Sequence, residues 1–409
     1  MWVRKRIDIG WADLLNGYLT ACRNTNEAQA RTAAESAFAT DDAIACLSVR
    51  SGFDLLWAAL NLSAGSEILM SAVTIADMPR IVREHELVPV PIGLTPETMT
   101  PDVAELRRCL TNRTRAIVVA HLFGSILNLN EVAEVAREHG LLLIEDCAQA
   151  FDGSRYLGHP AADVVMFSFG PIKTATALGG GILRVRDASL RQQMRDRQHN
   201  WPPQSRSEYR RRIWNYAFLK LFSGRVLFQL LLWLCRLLQR DSDRAISGAV
   251  RNFPPAQFYQ RMRQRPCPAL LRMMSRRIRQ FDLSRQQRRI ALGTLLQQAV
   301  SDVICHADNV ELLFIPTGAT ERHVWWVFPL CWSNPATLVN ALRKAGFDAT
   351  SSHQLRVIPG PDSCVTAGTD RSRQVLDSVL FLPFYPELTA AAVSRMAGVI
   401  RDVCNSDDA

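Results

Sequence analysis

The sequence predicts an α/β protein with a mainly parallel central sheet in a large domain, followed by a smaller α/β domain. Between Ala43 and about Val185, short apolar runs alternate with stretches whose apolar residues recur at helical spacing. Several runs are apolar throughout, which is typical of strands covered by helices on both faces. A second, shorter alternation begins near Val324. The length of 409 residues also favours two domains, because single cores rarely exceed about 250–300 residues.

The elements of the large domain follow one another in the order that this alternation requires. The predicted strands are AIACLSV, EILMSAV, LVPVPIG, RAIVVAHLF, LLLIED, VVMFSF and GGILRV. The predicted helices among them are GFDLLWAAL, TPDVAELRRCL and NLNEVAEVAREHG. The last of these ends at Gly140, a residue favoured where helices stop.

The smaller domain is predicted from four further segments, VWWVFPLCW, NPATLVNALRKAG, SVLFLPFYP and LTAAAVSRMAGVIRDV. We therefore divide the chain into a large domain at 1–200, an arginine-rich helical insertion or linker at 201–291, and a small C-terminal domain at 292–409. The adjacent Trp325 and Trp326 are expected to pack inside the small domain.

The formal charge of +9 is concentrated in one part of the chain. Between Trp201 and Arg289 there are 20 Lys and Arg residues against four acidic residues. No recognisable nucleic-acid-binding motif accompanies them, so we expect no nucleic-acid partner, and a solvated arginine-rich surface remains an equal interpretation. The ten cysteines show no metal-ligand spacing, which argues against structural zinc and a disulfide framework and favours a reducing, cytoplasmic location. No secretory signal is recognised.

Residues 213–238 form the one long apolar stretch of the sequence. Lys220, Arg225 and Arg236 argue against a spanning helix, because each charge at the centre of a bilayer costs at least about 2.5 kcal/mol. As a helix, the stretch would place most of its polar residues near one face, a pattern typical of helices lying on an anionic membrane surface. A buried helix at a dimer or domain interface is an equal alternative.

Polar residues interrupt the large domain where the predicted strands end. Because the carboxyl ends of parallel strands meet at one edge of the sheet, we expect these side chains to form one site. They are Ser48, Arg50, Ser51, His121, Asp146 and Ser168.

Lys173 follows the last of these strand ends, in the segment FSFGPIKTATALGGG. The chain contains three other lysines, Lys5, Lys220 and Lys344, and otherwise uses arginine. An ammonium group can lose its proton at usable pH whereas a guanidinium cannot, so Lys173 could form a Schiff base with an aldehyde.

The neighbouring polar residues suggest which aldehyde this is. A buried Asp146 needs a cationic partner to stay ionised, and a protonated pyridine nitrogen is such a partner. Ser168, together with Arg50 or Ser51 at the start of a helix, could bind a phosphate. These parts outline a site for pyridoxal 5'-phosphate. No metal site is predicted.

The run from Ala116 to Gly181 resembles the signature region of the sugar aminotransferases of the DegT/StrS type. Weaker similarity extends over Ala43 to Arg184 and from Val324 to the end. The resemblance implies fold type I of the pyridoxal phosphate enzymes, a homodimer, and amino transfer from glutamate to a nucleotide-linked keto sugar. It also implies roles for four residues: Lys173 as the Schiff-base lysine, Asp146 beside the pyridine nitrogen, Gln149 against the cofactor ring and Ser168 on the phosphate.

The chain departs from the usual family pattern at several positions. Ser48-Val49-Arg50 stands where relatives usually have Ser-Gly-Thr, so Arg50 and Ser51 are expected to hold the phosphate. Ile75 replaces a common aromatic residue, and Gly93 replaces an aspartate. Asn215 is a weak candidate for the asparagine that relatives contribute across the dimer. His121 and His323 are interpreted as structural residues.

The function predicted from these observations is that of a transaminase dependent on pyridoxal phosphate, in glycan or secondary-metabolite biosynthesis. Peripheral attachment to the inner membrane face through residues 213–238 is expected. Two alternatives remain open: a membrane-associated regulatory or scaffold protein with the same fold, and another pyridoxal phosphate reaction on a non-sugar substrate.

Overall fold

The structure is a computed structural model, and it describes residues 1–38, 40–222, 257–304, 314–317, 319–361 and 367–406. The strands are β1 (Ala43–Cys46), β2 (Glu67–Ser71), β3 (Val73–Ile75), β4 (Val88–Ile92), β5 (Thr114–Ala120), β6 (Ser125–Ile126), β7 (Leu142–Asp146), β8 (Val164–Ser168), β9 (Gly181–Val185), β10 (Arg322–His323), β11 (Phe328–Cys331), β12 (Leu355–Val357) and β13 (Val379–Leu382). All seven strands predicted for the large domain are present.

The α-helices of the described residues lie between and after these strands. They are α1 (Trp11–Cys22), α2 (Glu27–Glu35), α3 (Val49–Leu60), α4 (Asp77–Glu84), α5 (Val103–Arg108), α6 (Asn130–Glu138), α7 (Ala188–His199), α8 (Arg206–Phe222), α9 (Phe258–Met262), α10 (Pro268–Arg279), α11 (Leu283–Ile304), α12 (Pro335–Lys344), α13 (Ala367–Ser378) and α14 (Ala390–Ser406).

The central sheet has seven strands in the order β1-β9-β8-β7-β5-β2-β4. The neighbours from β8 to β4 pair in parallel, whereas β9 runs antiparallel to β8 and to β1. The predicted mainly parallel sheet is therefore confirmed. The carboxyl ends of its parallel strands meet at one edge, where loops that carry polar residues can converge.

Helices cover both faces of this sheet, as the apolar strands require. Along β5, Ile117 and Val119 join the core beneath α2 and α10, whereas Ala116 and Val118 join the core beneath α3 and α4. Successive side chains of a strand point to opposite faces, so one apolar strand contributes to two cores.

The C-terminal part of the chain forms a smaller layer around the antiparallel pair β11 and β13, with α11 packed against α14. Its core also contains Trp2 and Val3 from the start of the chain. The backbone N–H of Trp2 donates to the carbonyl of Gly346 at 2.7 Å, and the N–H of Asp348 donates to the carbonyl of Trp2 at 2.8 Å. The N-terminal segment therefore belongs to both parts of the molecule, because it continues from here into α1.

The described parts of 201–291 pack onto the large domain. Helix α10 packs against α1 and α2, and α8 packs against α1. Tyr209 of α8 and Met274 of α10 are fully buried. Most of the apolar stretch 213–238 lies outside the described residues. Among the helices that are described, none combines the length and the apolar character needed to cross a bilayer.

Candidate active site

Lys173 lies on the loop between β8 and β9, beyond the carboxyl edge of the sheet. This loop folds back on itself: the N–H groups of Ala177 and Gly179 both donate to the carbonyl of Phe169, at 3.0 and 3.1 Å. The N–H of Lys173 donates to the carbonyl of Gly170 at 3.0 Å. These bonds fix the backbone of the lysine before any ligand binds.

The glycines after this loop bring it against the start of α3. A Cβ placed on Gly181 would lie 2.8 Å from the backbone nitrogen of Val49, a contact that a side chain could not make. The start of α3 and the lysine loop are neighbours for this reason, although more than 100 residues separate them along the chain.

The amine of Lys173 sits in surroundings that favour its neutral form. Burial, opposed by the charge of Asp146 and assisted by the charge of Arg50, lowers its pKa to about 8. Its Nζ lies 4.1 Å from the centre of the Trp326 ring. A substantial fraction of the amine is therefore unprotonated and nucleophilic at mildly alkaline pH.

Asp146 ends β7, and its charge and those of Lys173 and Arg50 act on one another; we call the space bounded by these three residues the recess. Its Oδ1 accepts the N–H of Ala148 at 3.0 Å. Burial raises its pKa, while that N–H and the charges of Lys173, His121 and Arg50 oppose the rise. No lysine, arginine or histidine nitrogen of the described residues lies within 4.0 Å of this carboxylate. A cation that entered the recess would stabilise its ionised form.

Two sets of groups stand where a phosphate could bind. Ser48 caps α3 by accepting the N–H of Ser51 at 3.1 Å, and the hydroxyls of Ser48 and Ser51 lie 2.9 Å apart. The side chain of Ser51 is fully buried within this cap. Arg50 pairs with Asp77 at 2.6 Å, at the rim of the recess. The N-terminus of α3 carries the partial positive charge that attracts phosphates.

Ser168 and Gln149 complete the predicted set. The Ser168 hydroxyl accepts the N–H of Gly170 at 3.4 Å, close to the lysine loop. Oε1 of Gln149 accepts the N–H of Phe123 at 2.8 Å, which holds the side chain against the loop after β5.

The burial pattern of these residues supports a site for a cofactor. Five of the six predicted ligands are partly exposed, whereas Ser51 and the neighbours Glu145, Cys147, Phe167 and Phe169 are fully buried. The partly exposed side chains are Arg50, Asp146, Gln149, Ser168 and Lys173. A recess lined by an activatable amine, an unpaired carboxylate and a helix N-terminus fits pyridoxal phosphate. Ser51 fits less directly, since its hydroxyl is engaged in the helix cap.

Directly beneath the recess lies a buried network around Glu145. Its Oε2 accepts from Nε2 of His121 at 2.9 Å and from the hydroxyl of Tyr156 at 2.6 Å, and its Oε1 accepts the N–H of His159 at 2.5 Å. Nδ1 of His121 lies 3.1 Å from the N–H of Leu127, which donates to it, so both ring nitrogens make hydrogen bonds inside the protein. His121 is therefore a hydrogen-bonded structural residue, as predicted from the sequence.

His121 and Glu145, together with Cys147, bring possible ligand atoms within 4.8 Å of one another. Both ring nitrogens of His121 are already used in hydrogen bonds, and burial raises the pKa of the Cys147 thiol well above its ordinary value. These groups are engaged with one another as hydrogen-bonding partners, and a thiol in this state is a poor metal ligand.

The expectation for the tryptophan pair is wrong for one of its members. Trp325 packs in the small domain, stacked on Phe328 at 4.9 Å between ring centres. Trp326 instead reaches the active-site loop, where its Nε1 donates to the carbonyl of Ile172 at 2.9 Å. The positive φ of Trp325, 51°, turns the chain so that adjacent rings part.

Lys5 is a second residue that sequence reasoning missed. Its Nζ lies 3.9 Å from the centre of the same Trp326 ring that contacts Lys173. The scarcity of lysine in this chain was visible in the sequence, but the position of Lys5 in the fold was not. Asn215 is exposed on α8, and its proposed role across a dimer stays a prediction.

Comparison with known proteins gives one consistent result. The family model described as the DegT/DnrJ/EryC1/StrS aminotransferase family matches residues 15–218. GDP-perosamine synthase from Caulobacter vibrioides is 34% identical over 156 residues, 37% of this chain and 42% of that protein. L-glutamine:2-deoxy-scyllo-inosose aminotransferase from Micromonospora echinospora is 34% identical over 151 residues, 36% of each chain. The aligned part spans less than half of each of these relatives.

Similarity of the fold to known structures covers the full chain. The aminotransferase TlmJ from Streptoalloteichus hindustanus superposes with a TM-score of 0.71 and 18% identity, and the match covers 100% of both chains. This confirms the predicted fold type I architecture. The chain belongs to the DegT/DnrJ/EryC1/StrS aminotransferase family, whose cofactor is pyridoxal phosphate.

Proposed function

We propose that this protein is a transaminase that transfers an amino group from an amino acid, L-glutamate in the first instance, to a keto sugar. The observation that carries the proposal is the Lys173 amine, whose pKa is lowered by burial to about 8, facing Asp146 in one recess. Relatives named as a GDP-perosamine synthase and an inosose aminotransferase support an amino-sugar or aminocyclitol product. A nucleotide attached to the acceptor is part of the proposal.

When bound, pyridoxal phosphate supplies an aldehyde that accepts nitrogen and a ring that withdraws electrons from the substrate carbon. The N-terminus of α3, Arg50 and Ser168 would bind its phosphate, and Asp146 would lie at its ring nitrogen. Gln149 would hold the ring from the side of the β5 loop. Nζ of Lys173 would hold the aldehyde carbon until an amino acid arrives.

Lys173 would also act as the acid and base. An amine with a pKa of about 8 could hold a proton taken from the substrate carbon and give it up again. Trp326 keeps the amine over the recess, because its own ring is fixed by the bond from Nε1 to Ile172. Arginine could not replace this lysine, since it does not release its proton.

The test uses purified protein loaded with pyridoxal phosphate. L-glutamate should change the visible absorbance of the bound cofactor, and a keto sugar should restore it while an aminated product appears by mass spectrometry. Absence of bound cofactor would favour the regulatory or scaffold alternative. A cofactor that changes with amino acids but never delivers nitrogen to a ketone would favour another reaction.

We propose further that the protein is a homodimer and attaches to an anionic membrane surface near α8. Trp214, Phe218 and Leu221 of this helix have exposed fractions of 62%, 61% and 51%. The apolar, basic sequence of 223–238 follows directly, outside the described residues. Exposed aromatic side chains beside basic residues suit an anionic lipid surface.

Co-sedimentation with vesicles tests the membrane proposal, and light scattering gives the mass in solution. Binding should need anionic lipid and should fall in the Trp214→Ser, Phe218→Ser double variant. Equal sedimentation of this variant and the parent protein, or none with any vesicle, would refute the membrane proposal.

A further inference from the structure

A basic cavity lies beside the active-site lysine. It encloses about 600 Å³ and is lined by Thr174 and Ala175 of the lysine loop, by Asp8 of the N-terminal segment, and by Arg285 and Arg289 of α11. Thr174 follows Lys173 directly in the chain, so the cavity lies next to the loop that carries Lys173.

Several cations around this cavity are already neutralised by carboxylates. Asp13 binds two arginines of α10, and Arg285 bridges two acidic side chains. The pairs are Arg276 and Arg277 with Asp13, both at 2.7 Å, and Arg285 with Asp8 at 3.1 Å and with Glu387 at 2.5 Å. The second oxygen of Asp8 accepts the N–H of Ala175 at 2.9 Å. The nearby carboxylates are thus occupied by these partners.

Arg289 is a buried cation that differs from its neighbours. The residue is only 7% exposed, and its Nη1 donates to the hydroxyl of Thr174 at 2.8 Å. Within the part of the chain that the structure describes, no carboxylate oxygen lies within 4.0 Å of its guanidinium. A buried guanidinium without an ion pair is costly unless a ligand supplies the negative charge.

Lys5 likewise has no carboxylate partner among the described residues. Its Nζ lies against the Trp326 ring and 3.5 Å from the Trp326 carbonyl, and no carboxylate among the described residues comes within 4.0 Å of it. Burial lowers its pKa well below the ordinary value, and the charges of Lys173 and Arg289 lower it further, against the effect of Asp8. Lys5 therefore lies among the basic groups Lys173 and Arg289, and the charge of Asp8 acts on Lys5 and Arg289 without forming an ion pair with either.

We propose that Lys5 and Arg289 bind an oxyanion of a substrate beside Lys173, either a carboxylate of the amino-acid donor or a phosphate of the acceptor. The two sources share one chemistry, an oxygen anion that accepts charge-assisted hydrogen bonds from an ammonium and a guanidinium. The inference rests on the proposed transaminase function and states how that site holds its substrate.

Isothermal titration calorimetry on cofactor-loaded protein tests this without turnover. Glutarate, which has two carboxylates and no amino group, stands for the donor, and inorganic pyrophosphate stands for the acceptor. The variants are Lys5→Gln and Arg289→Gln. Arg288→Gln is the matched control, because Arg288 is exposed on the same helix.

At least one probe should bind the parent protein and Arg288→Gln equally, and bind Lys5→Gln and Arg289→Gln roughly ten- to a hundredfold more weakly. Weakening confined to glutarate assigns the subsite to the donor, and weakening confined to pyrophosphate assigns it to the acceptor. Arg289→Lys, which keeps the charge, should recover part of the affinity. If Arg289→Gln fails to fold, probe binding to the Lys5→Gln variant alone tests the proposal.

The proposal is overturned if neither probe binds, or if both variants bind as the control does. Its failure is distinct from failure of the proposed function. Amino transfer with unchanged probe binding in the variants removes the subsite alone, whereas charge-dependent probe binding without any amino transfer removes the transaminase alone.

Discussion

At the scale of single residues, the position of Lys173 shows why lysine and arginine are not interchangeable in this chain. Arginine carries most of the positive charge, yet two of the four lysines, Lys5 and Lys173, lie against one Trp326 ring. Burial lowers the pKa of both amines. The residue type therefore follows the chemistry of the site, since an amine can be made neutral by its surroundings and a guanidinium cannot.

The lowered pKa of Lys173 predicts how cofactor capture depends on pH. Covalent capture needs the neutral amine, so its rate in cofactor-free protein should rise about tenfold per pH unit below 8 and level off above it. Stopped-flow absorbance after mixing with pyridoxal phosphate measures the profile. An inflection at the ordinary lysine value of 10.5 would contradict the burial argument.

Asp146→Asn should move this inflection to lower pH. The charge of Asp146 raises the pKa of Lys173, so its removal leaves burial and Arg50 unopposed. Asp370→Asn, a change at an exposed aspartate of α13, is the control and should leave the profile unchanged. If the pH profile of Asp146→Asn matches that of the parent protein, the charge of Asp146 does not affect the pKa of Lys173.

Lys173→Arg should abolish amino transfer while the protein still folds. The cation is kept, but the side chain can neither bond to the aldehyde nor exchange a proton, so the rate should fall at least about a hundredfold. Coupled product analysis measures it. Lys344→Arg, at an exposed helix end, should keep full activity; comparable activity in both variants would rule out Lys173 as the catalytic amine.

At the scale of elements, β7 places two adjacent acidic residues in different surroundings. Glu145 points into the core, where His121, Tyr156 and the His159 N–H donate to it, and Asp146 faces the recess. Alternation along the strand produces this division. The buried carboxylate holds the loops after β5 and β7 in the positions that the recess requires.

Glu145→Gln should lower the free energy of unfolding by about 3 kcal/mol, because an amide N–H₂ would face donors in a buried site. Although burial acts to raise the pKa of Glu145, the His121 bond and the donors Tyr156 and His159 hold it below its ordinary 4.5. The extra stability of the parent protein is therefore present above pH 4.5, and it is lost as the pH falls through the lowered pKa of Glu145 in the folded state.

Denaturant unfolding at several pH values measures this difference. Glu134→Gln, at an exposed glutamate of α6, is the matched control and should change stability by less than about 0.5 kcal/mol. A stability loss in Glu145→Gln no larger than in this control would show that the network contributes little.

The elements of the sheet were predictable because their physical signal is local. Seven apolar runs bounded by turn residues became the seven strands, and the strand ends placed Asp146, Ser168 and Lys173 near one another. The family resemblance predicted a cofactor role for Asp146, which the residues alone could not have distinguished from the adjacent Glu145. Lys5 was out of reach, because its contact with Trp326 joins residues more than 300 positions apart.

At the scale of the whole molecule, the N-terminal segment links the small domain, the candidate active site and the large domain. Arg4 binds Asp348 through two nitrogens, at 2.9 and 2.8 Å, and Asp348 is almost fully buried. Lys5 follows at Trp326, and Asp8 binds Ala175 and Arg285. The position of Lys5 beside Trp326 therefore depends on how the first eight residues pack between the two domains.

Arg4→Gln should loosen this segment. Loss of a two-point bond to a buried carboxylate should cost about 2 kcal/mol and speed amide exchange in the first eight residues. Hydrogen–deuterium exchange read by mass spectrometry measures it. Arg115→Gln, whose arginine donates to the carbonyls of Asn112 and Thr114, is the control; equal exchange in both variants would show that Asp348 does not anchor the segment.

The placement of Trp326 has an optical consequence. Fluorescence from an indole depends on the groups in contact with it, and this indole touches the ammonium groups of both Lys173 and Lys5. Its emission should therefore report, without any added dye, when either amine changes its charge or its covalent partner. Trp326→Phe would preserve an aromatic face for the two cations and silence the signal, which identifies its source.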